Sequence, residues 1–255
     1  MRSVVLVKQV PDAYGRLELD SLTGLLDRNS GEQAFDEITE RALEVALQQR
    51  EAHGGDVVVL SMGPAQATDA LRKALAMGAD SGVHVLDDAL SGSDAIRTSE
   101  VLAAALRRIG FDLAIAGDRS SDGQGGVVPA MIAEHLGVAQ ATYLSSLDTD
   151  GQSLTGERIT ESGTQAVRAV LPAMVSVTEK IAEPRYPNFL GIMKAKKKPV
   201  QVWTTVELGM DEGTPAGSRI TSVAERPPRE AGVRIVDDGT AGRQLARFLS
   251  KSGLV

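Results

Sequence analysis

Cysteine is absent from this 255-residue chain. Disulfides, thiolate metal sites, iron–sulfur ligation and a cysteine nucleophile are therefore excluded. Aromatic residues make up only 3%, too few for the stacking platforms that hold single-stranded nucleic acid. Positive charge is in deficit. A net charge of −7 argues against a general affinity for nucleic-acid phosphates. No apolar run reaches the ~18 residues needed to cross a bilayer. The first residues, Met1 to Val7, read as a buried strand and not as a signal or transit peptide, so a cytoplasmic protein is expected. The three histidines, His53, His84 and His135, fall in separate elements with no second ligand at metal spacing, and are expected at surface or capping positions. Gly-x-Ser-x-Gly, a Walker lysine loop and zinc motifs are all missing. A hydrolase or transferase with its own side-chain machinery is not expected.

What is present is an ordinary globular balance, 42% apolar and 24% charged, in a chain long enough to bury a large core. Val4–Val7 reads as a parallel strand buried on both faces. Pro11 to Gly31 is turn-rich, a loop or a short hairpin with alternation at Leu17 and Leu19. Helical spacing runs from Asp36 to Ala52, then Asp56–Met62 is a strand. Gly63-Pro64 opens a helix that stops before Gly78. Val83–Leu86 is a strand, Asp94–Gly110 a helix, Phe111–Ala116 a strand and Val128–Leu136 a helix. This alternation predicts an α/β fold: a doubly wound, mostly parallel sheet with helices on both faces. Within about 150–180, Ser153–Arg158 and Gln165–Val170 alternate as a small antiparallel β addition. Ala173–Thr178 is a further buried strand. From Val206 the chain is Pro- and Gly-rich and lacks a core of its own, with one short helix at Gly239–Ser252. The expected organisation is a domain over 1–205 and an extended C-terminal arm over 206–255.

Chemistry concentrates in Asp112 to Pro129. A buried strand enters a turn with glycines at 117, 123, 125 and 126, and a helix follows. Glycine permits close backbone approach, and first-turn N–H groups attract anions. The segment reads as a phosphate cradle or, equally, as an ordinary βα loop. Ser61-Met62-Gly63-Pro64 is a second strand-to-helix turn on the same sheet edge. Arg185 to Met193 carries large apolar side chains between Pro187 and Gly191 with no regular period, which suggests an interaction surface or packing onto the sheet. The lysine run Lys194 to Lys198 is expected to be solvated.

Four stretches together carry a resemblance. They are Val7-Lys8-Gln9-Val10-Pro11-Asp12, then Ser61-Met62-Gly63-Pro64 with Leu71 to Asp80, then Asp112 to Pro129, and Glu183-Pro184-Arg185-Tyr186 with Gly191-Ile192-Met193-Lys194-Ala195-Lys196-Lys197-Lys198. The chain resembles the β-subunits of electron-transfer flavoproteins of the bacterial, single-FAD type. The resemblance implies an electron-carrier subunit without catalytic side chains, paired in a heterodimer with an α-subunit. FAD would lie mainly on the α-subunit, with this chain closing one side of the crevice and binding AMP structurally. Electrons would come from acyl-CoA dehydrogenases and related flavoenzymes, as in fatty acid β-oxidation, and leave to a membrane quinone oxidoreductase. The arm from 206 would wrap the α-subunit.

The resemblance places AMP at Leu6, Asp36, Glu37, Ile38, Thr39 and Met62, and along the turn at Gly117, Ser120, Asp122, Gly123, Gln124, Gly125, Gly126, Val127 and Val128. It places partner recognition within about 183–198, at Arg185, Tyr186, Phe189, Leu190, Ile192, Met193 and Lys194. The chain departs from the family pattern in three places. Asp36-Glu37-Ile38-Thr39 replaces Asn-Pro-x-Asp, and Gly126-Val127-Val128-Pro129 replaces Asn-Gln-Thr-Gly, which leaves backbone N–H groups to hold a phosphate. Ile159 stands where the family has an acid near the flavin. Two other readings are a stand-alone adenine-nucleotide sensor of the universal-stress type, and a bifurcating relative with a second FAD in place of AMP.

Overall fold

Strand β1 (Arg2–Leu6) is an interior strand of a nine-stranded sheet, fourth in its order. The computed structural model describes all residues except 13, 14, 16, 29, 30, 212–216, 219, 225, 226 and 229–231. A short ribbon of β2 (Gln9–Pro11) and β3 (Gln33–Phe35) follows, then α1 (Glu37–His53), β4 (Asp56–Met62), α2 (Thr68–Met77), β5 (Ser81–Val85), α3 (Ala95–Ile109), β6 (Leu113–Gly117) and α4 (Val128–Leu136). The second half holds β7 (Ala139–Thr149), β8 (Ser153–Thr160), β9 (Gly163–Val170), β10 (Ala173–Val177), α5 (Phe189–Ala195), β11 (Val200–Trp203) and α6 (Ala241–Lys251). The strand order is β11-β5-β4-β1-β6-β10-β7-β8-β9. Pairing is parallel from β11 through β7 and antiparallel at β7–β8 and β8–β9.

Strand period 2 explains the layering. On β1, Val5 packs in a core with α1, α2 and Ala195 of α5, while Val4 and Leu6 face a second core built with α3 and α4. The β1–β4–β5 crossovers go to one side of β1 and β6 lies on the other. The winding therefore reverses beside β1, and the crevice at the carboxyl ends of β1 and β6 is the usual ligand position in such sheets.

Several expectations change. The sequence pattern does not mark β7 and β11 as strands. β7 alternates in burial only partly because it pairs in parallel with β10 and in antiparallel with β8. β11 is four residues beside a lysine run. The segment expected to be an irregular loop contains α5, which Asn188 caps by accepting from the Gly191 N–H at 2.7 Å. Seven residues are too few to show a helical period, and glycine in a helix reads as a breaker. Gly191 is required because a Cβ there would sit 2.5 Å from the Ala76 carbonyl oxygen. Lys198 is not solvated: its ammonium donates to the carbonyls of Leu75 and Ala79 at the end of α2. His84 is neither a surface nor a capping residue. It is 1% exposed, and its ring bridges Thr68 Oγ1 and the Gly63 carbonyl.

The chain divides into Met1–Thr221 and Ser222–Val255. Residues 206–211, with the described residues beyond them up to Thr221, therefore belong to the first unit and not to an arm beginning at 206. Asp87 holds Thr205 by its N–H and hydroxyl, and Asp94 holds Ser218 in the same way. The second unit contains α6, with Leu245 and Phe248 half-exposed. Of the expected arm, 212–216, 219, 225, 226 and 229–231 lie outside the described residues.

Candidate functional site

The turn from Gly117 to Val127 leaves β6 at the reversal beside β1 and enters α4. Gly117 ends the strand against α1: a Cβ there would meet Ile38 at 2.5 Å. Asp36 precedes α1 but does not cap it. Its carboxylate crosses to accept the Ser121 N–H at 3.2 Å. Burial pushes the Asp36 carboxyl up to about 6, the Ser121 hydrogen bond opposing the shift. Lys8, just past β1, donates to Asp122 at 2.7 Å and to Ser120 Oγ at 3.2 Å. Arg28 donates to the other Asp122 oxygen at 2.8 Å. Burial favours the neutral Asp122 acid, but the Lys8 charge and the hydrogen bonds from Lys8, Ser120 and Arg28 outweigh it. They hold this carboxyl far below the usual range.

Further along, Gln124 and Gly126 have positive φ, and Tyr143 of β7 donates its hydroxyl to the Gly126 carbonyl at 2.9 Å. Among the described residues, the N–H groups of Gly125, Gly126 and Val127 donate no hydrogen bond within the chain. Pro129 follows in the first turn of α4, where no N–H is needed. Among the described residues, the buried Ser61 Oγ near the end of β4 has no partner, whereas the Ser121 side chain lies against the Asp36 carboxyl that its N–H engages. Free backbone donors before a helix suit an anion.

Most sequence-designated positions meet here. Leu6, Met62 and Gly117 end adjacent parallel strands. Asp36 and Ile38 contact the turn residues Ser121 and Gly117, and Ser120 and Asp122 meet Lys8 within the turn. Glu37 does not join them. It lines a separate cleft of about 680 Å³ with Gln9, Phe35, Arg41, Lys73 and Tyr186. The Thr39 hydroxyl donates to the Asp36 carbonyl at 2.8 Å. Gly123, Gln124, Gly125 and Val127 are exposed on the turn, and Val128 begins α4. Ile159 is half-exposed on β8. Sequence reasoning passed over Lys8, Arg28, Ser61 and Tyr143 as site residues. Lys8 had a signal, a charged residue at the carboxyl end of a buried strand, and Ser61 another, its place in the strand-to-helix turn Ser61-Met62-Gly63-Pro64; Arg28 and Tyr143 had none.

The second designated group separates into two kinds of residue. Tyr186, Phe189, Leu190, Ile192 and Met193 are exposed, Tyr186 at 93% and Phe189 at 76%. Lys194 is exposed beside them. Arg185 instead turns inward and forks onto Glu44 of α1 at 2.8 and 2.9 Å, with Glu51 as its second partner. Hydrogen bonds to Glu44 and Glu51 raise the guanidinium's proton affinity further. Its side chain anchors the segment to α1.

The family model described as the electron transfer flavoprotein domain matches residues 23–208. An electron transfer flavoprotein subunit beta from Mycobacterium leprae is 48% identical over 256 residues, covering 96% of each chain. One from Clostridium acetobutylicum is 34% identical, covering 92% of this chain and 96% of its own. A caffeyl-CoA reductase-Etf complex subunit, CarD, from Acetobacterium woodii is 30% identical, covering 98% and 97%. Matched along most of its length to the family model and end to end to β-subunits, the chain belongs to the electron transfer flavoprotein β-subunit family.

Proposed function

We propose that this β-subunit works in a single-FAD electron-transfer flavoprotein, holding AMP in the turn between β6 and α4 and closing one side of the FAD crevice. Family membership makes it a flavin-associated electron-carrier subunit that pairs with an α-subunit. In the finer reading, electrons arrive from acyl-CoA dehydrogenases and related flavoenzymes and leave to a membrane quinone oxidoreductase. No helix among the described residues is long and apolar enough to cross a membrane. The observation that carries the nucleotide reading is the set of free N–H groups at Gly125, Gly126 and Val127 where the turn from β6 enters α4. These residues fit a phosphate. Lys8, Arg28 and Asp36 would hold the turn in shape around it.

FAD, when bound, supplies the redox chemistry. This chain's residues bind, orient and present. Exposed Phe189 and Leu190 would dock the dehydrogenase, and Arg185 would fix the segment that carries them. The arm beyond 221 would wrap the α-subunit. Family membership sets aside the stand-alone universal-stress-type sensor.

A second reading has one specific support, the 30% identity to CarD of a caffeyl-CoA reductase-Etf complex. In a bifurcating assembly this pocket would hold a second FAD. Co-expression with the α-subunit, purification, denaturation and quantification of released nucleotides decides between the two. One FAD and one AMP per heterodimer is the expected result. Two FAD without AMP would favour the second reading, and a colourless or unassembled product would overturn both.

A further inference from the structure

Tyr143 has φ of +60°, a left-handed conformation that a bulky aromatic residue rarely adopts. The cause is a bulge. The β7–β10 register shifts between Val175 and Val177, and Ser176 Oγ accepts the Tyr143 N–H at 2.9 Å. Bulges re-aim side chains, often next to functional sites. Here the phenol leaves the strand and donates to the Gly126 carbonyl at 2.9 Å. Gly126 itself is at φ +67°, and a Cβ on it would lie 2.4 Å from the Tyr143 hydroxyl. The glycine and the phenol therefore close directly on each other.

The peptide plane supplies the consequence. In a trans peptide the carbonyl of one residue and the N–H of the next point in opposite directions. Anchoring the Gly126 carbonyl to Tyr143 therefore directs the Val127 N–H to the side away from the phenol. At its other flank the turn is tied through Ser121 to Asp36 and through Asp122 to Lys8 and Arg28. The unengaged donors of Gly125 and Gly126 lie between these two anchorages, and that of Val127 directly follows the second.

We infer that Tyr143 is a positioning residue for the anion-binding turn, holding Gly126 so that the following N–H faces the phosphate of a nucleoside monophosphate. This rests on the AMP reading above. The role concerns the phosphate alone, so the test compares AMP with adenosine. Both are titrated calorimetrically into the nucleotide-stripped heterodimer, wild type and Tyr143→Phe. The variant should bind AMP about tenfold more weakly, the effect of one well-placed hydrogen bond. Adenosine affinity and the nucleotide-free melting temperature should stay at wild-type values. Gly126→Ala, which adds a Cβ at positive φ and 2.4 Å from the phenol oxygen, should also weaken AMP binding. Unchanged AMP affinity in Tyr143→Phe would overturn the inference. So would equal weakening of AMP and adenosine, or failure of the variant to assemble, since each marks general support of the fold. Wild-type protein that binds neither ligand would sink the nucleotide reading itself, and this inference with it.

Discussion

Arg72 and Lys198 cap the ends of α5 and α2 reciprocally. Arg72, on α2, donates to the carbonyls of Ala195 and Lys198 at 2.9 and 3.0 Å, where α5 ends. Lys198 returns its ammonium to the carbonyls of Leu75, at 3.0 Å, and Ala79, where α2 ends. Burial lowers the Lys198 pKa, the charge of Asp80 opposing the shift. Carbonyls at a helix end lack intrahelical partners, and cations there also meet the negative end of the dipole. The pair fixes how α5, with its exposed Phe189 and Leu190, stands on the body of the subunit.

Lys198→Ala should therefore destabilise the heterodimer by about 1–3 kcal/mol, whereas exposed Lys196→Ala should stay within about 0.5 kcal/mol of wild type. Urea unfolding of the three proteins checks this. Equal midpoints would remove the capping role.

Asp36 gives a pH dependence with a definite sign. Its folded pKa, about 6, lies above its ordinary 3.8. Its stabilising contribution is full below about 3.8 and is lost as pH rises through about 6. At pH 7.5 the buried carboxylate is a burden. Asp36→Asn keeps an oxygen for the Ser121 N–H and should raise stability by about 1–2 kcal/mol at pH 7.5, with a smaller gain at pH 5. Denaturant titrations at both pH values measure it, and an identical gain at each would contradict the assignment.

Asp122 has the opposite sign. Its folded pKa is depressed, so its stabilisation is present above the ordinary carboxylate value and disappears only as pH falls well below it. Its side chain is 1% exposed while Lys8 and Arg28 are partly open. Asp122→Asn should cost about 1–3 kcal/mol at neutral pH and reduce the AMP that copurifies. Undiminished stability and full AMP content would show that the ion cluster is dispensable.

Arg185→Lys replaces a two-pronged fork with a point charge and leaves buried Glu44 poorly satisfied. A loss of about 2 kcal/mol is expected. Faster proteolysis between 183 and 198 in the assembled heterodimer should accompany it. Proteolysis at the wild-type rate would argue against an anchoring role.

Phe189→Ala and Leu190→Ala remove side chains that are 76% and 66% exposed, so melting temperature and FAD content should not move. If these residues dock an acyl-CoA dehydrogenase, each truncation should raise the apparent KM for the flavoprotein by tenfold or more, as expected of an anchor worth about 2 kcal/mol. Reduction by dithionite, which needs no docking, should be unaffected. Wild-type transfer kinetics in both variants would end the docking assignment.

The sequence by itself determined the doubly wound core. Runs such as Val57 to Leu60 and Leu113 to Ala116 are buried on both faces, and period 2 placed alternate residues in the two helix layers. The helix-stop glycines at 54, 78, 110 and 137 follow the last helical residue in each case. The motif from Asp112 to Pro129 pointed to the turn because glycines before a helix are a local signal. Contacts between distant residues decided the rest. Nothing local in the sequence ties Tyr143 to Gly126, because a bulge 17 residues away aims the phenol. Lys198 was legible only as one charge in a lysine run until α2 and α5 were packed together. Arg185 looked like part of an exposed surface until α1 brought Glu44 and Glu51 beneath it. Gly191 looked like a loop residue until the Ala76 carbonyl closed on its missing side chain. Periodicity and propensity act over a few residues and so can be read along the chain. Caps, forks and close approaches join residues 17 to 141 positions apart, and only the folded backbone brings such partners within hydrogen-bonding distance.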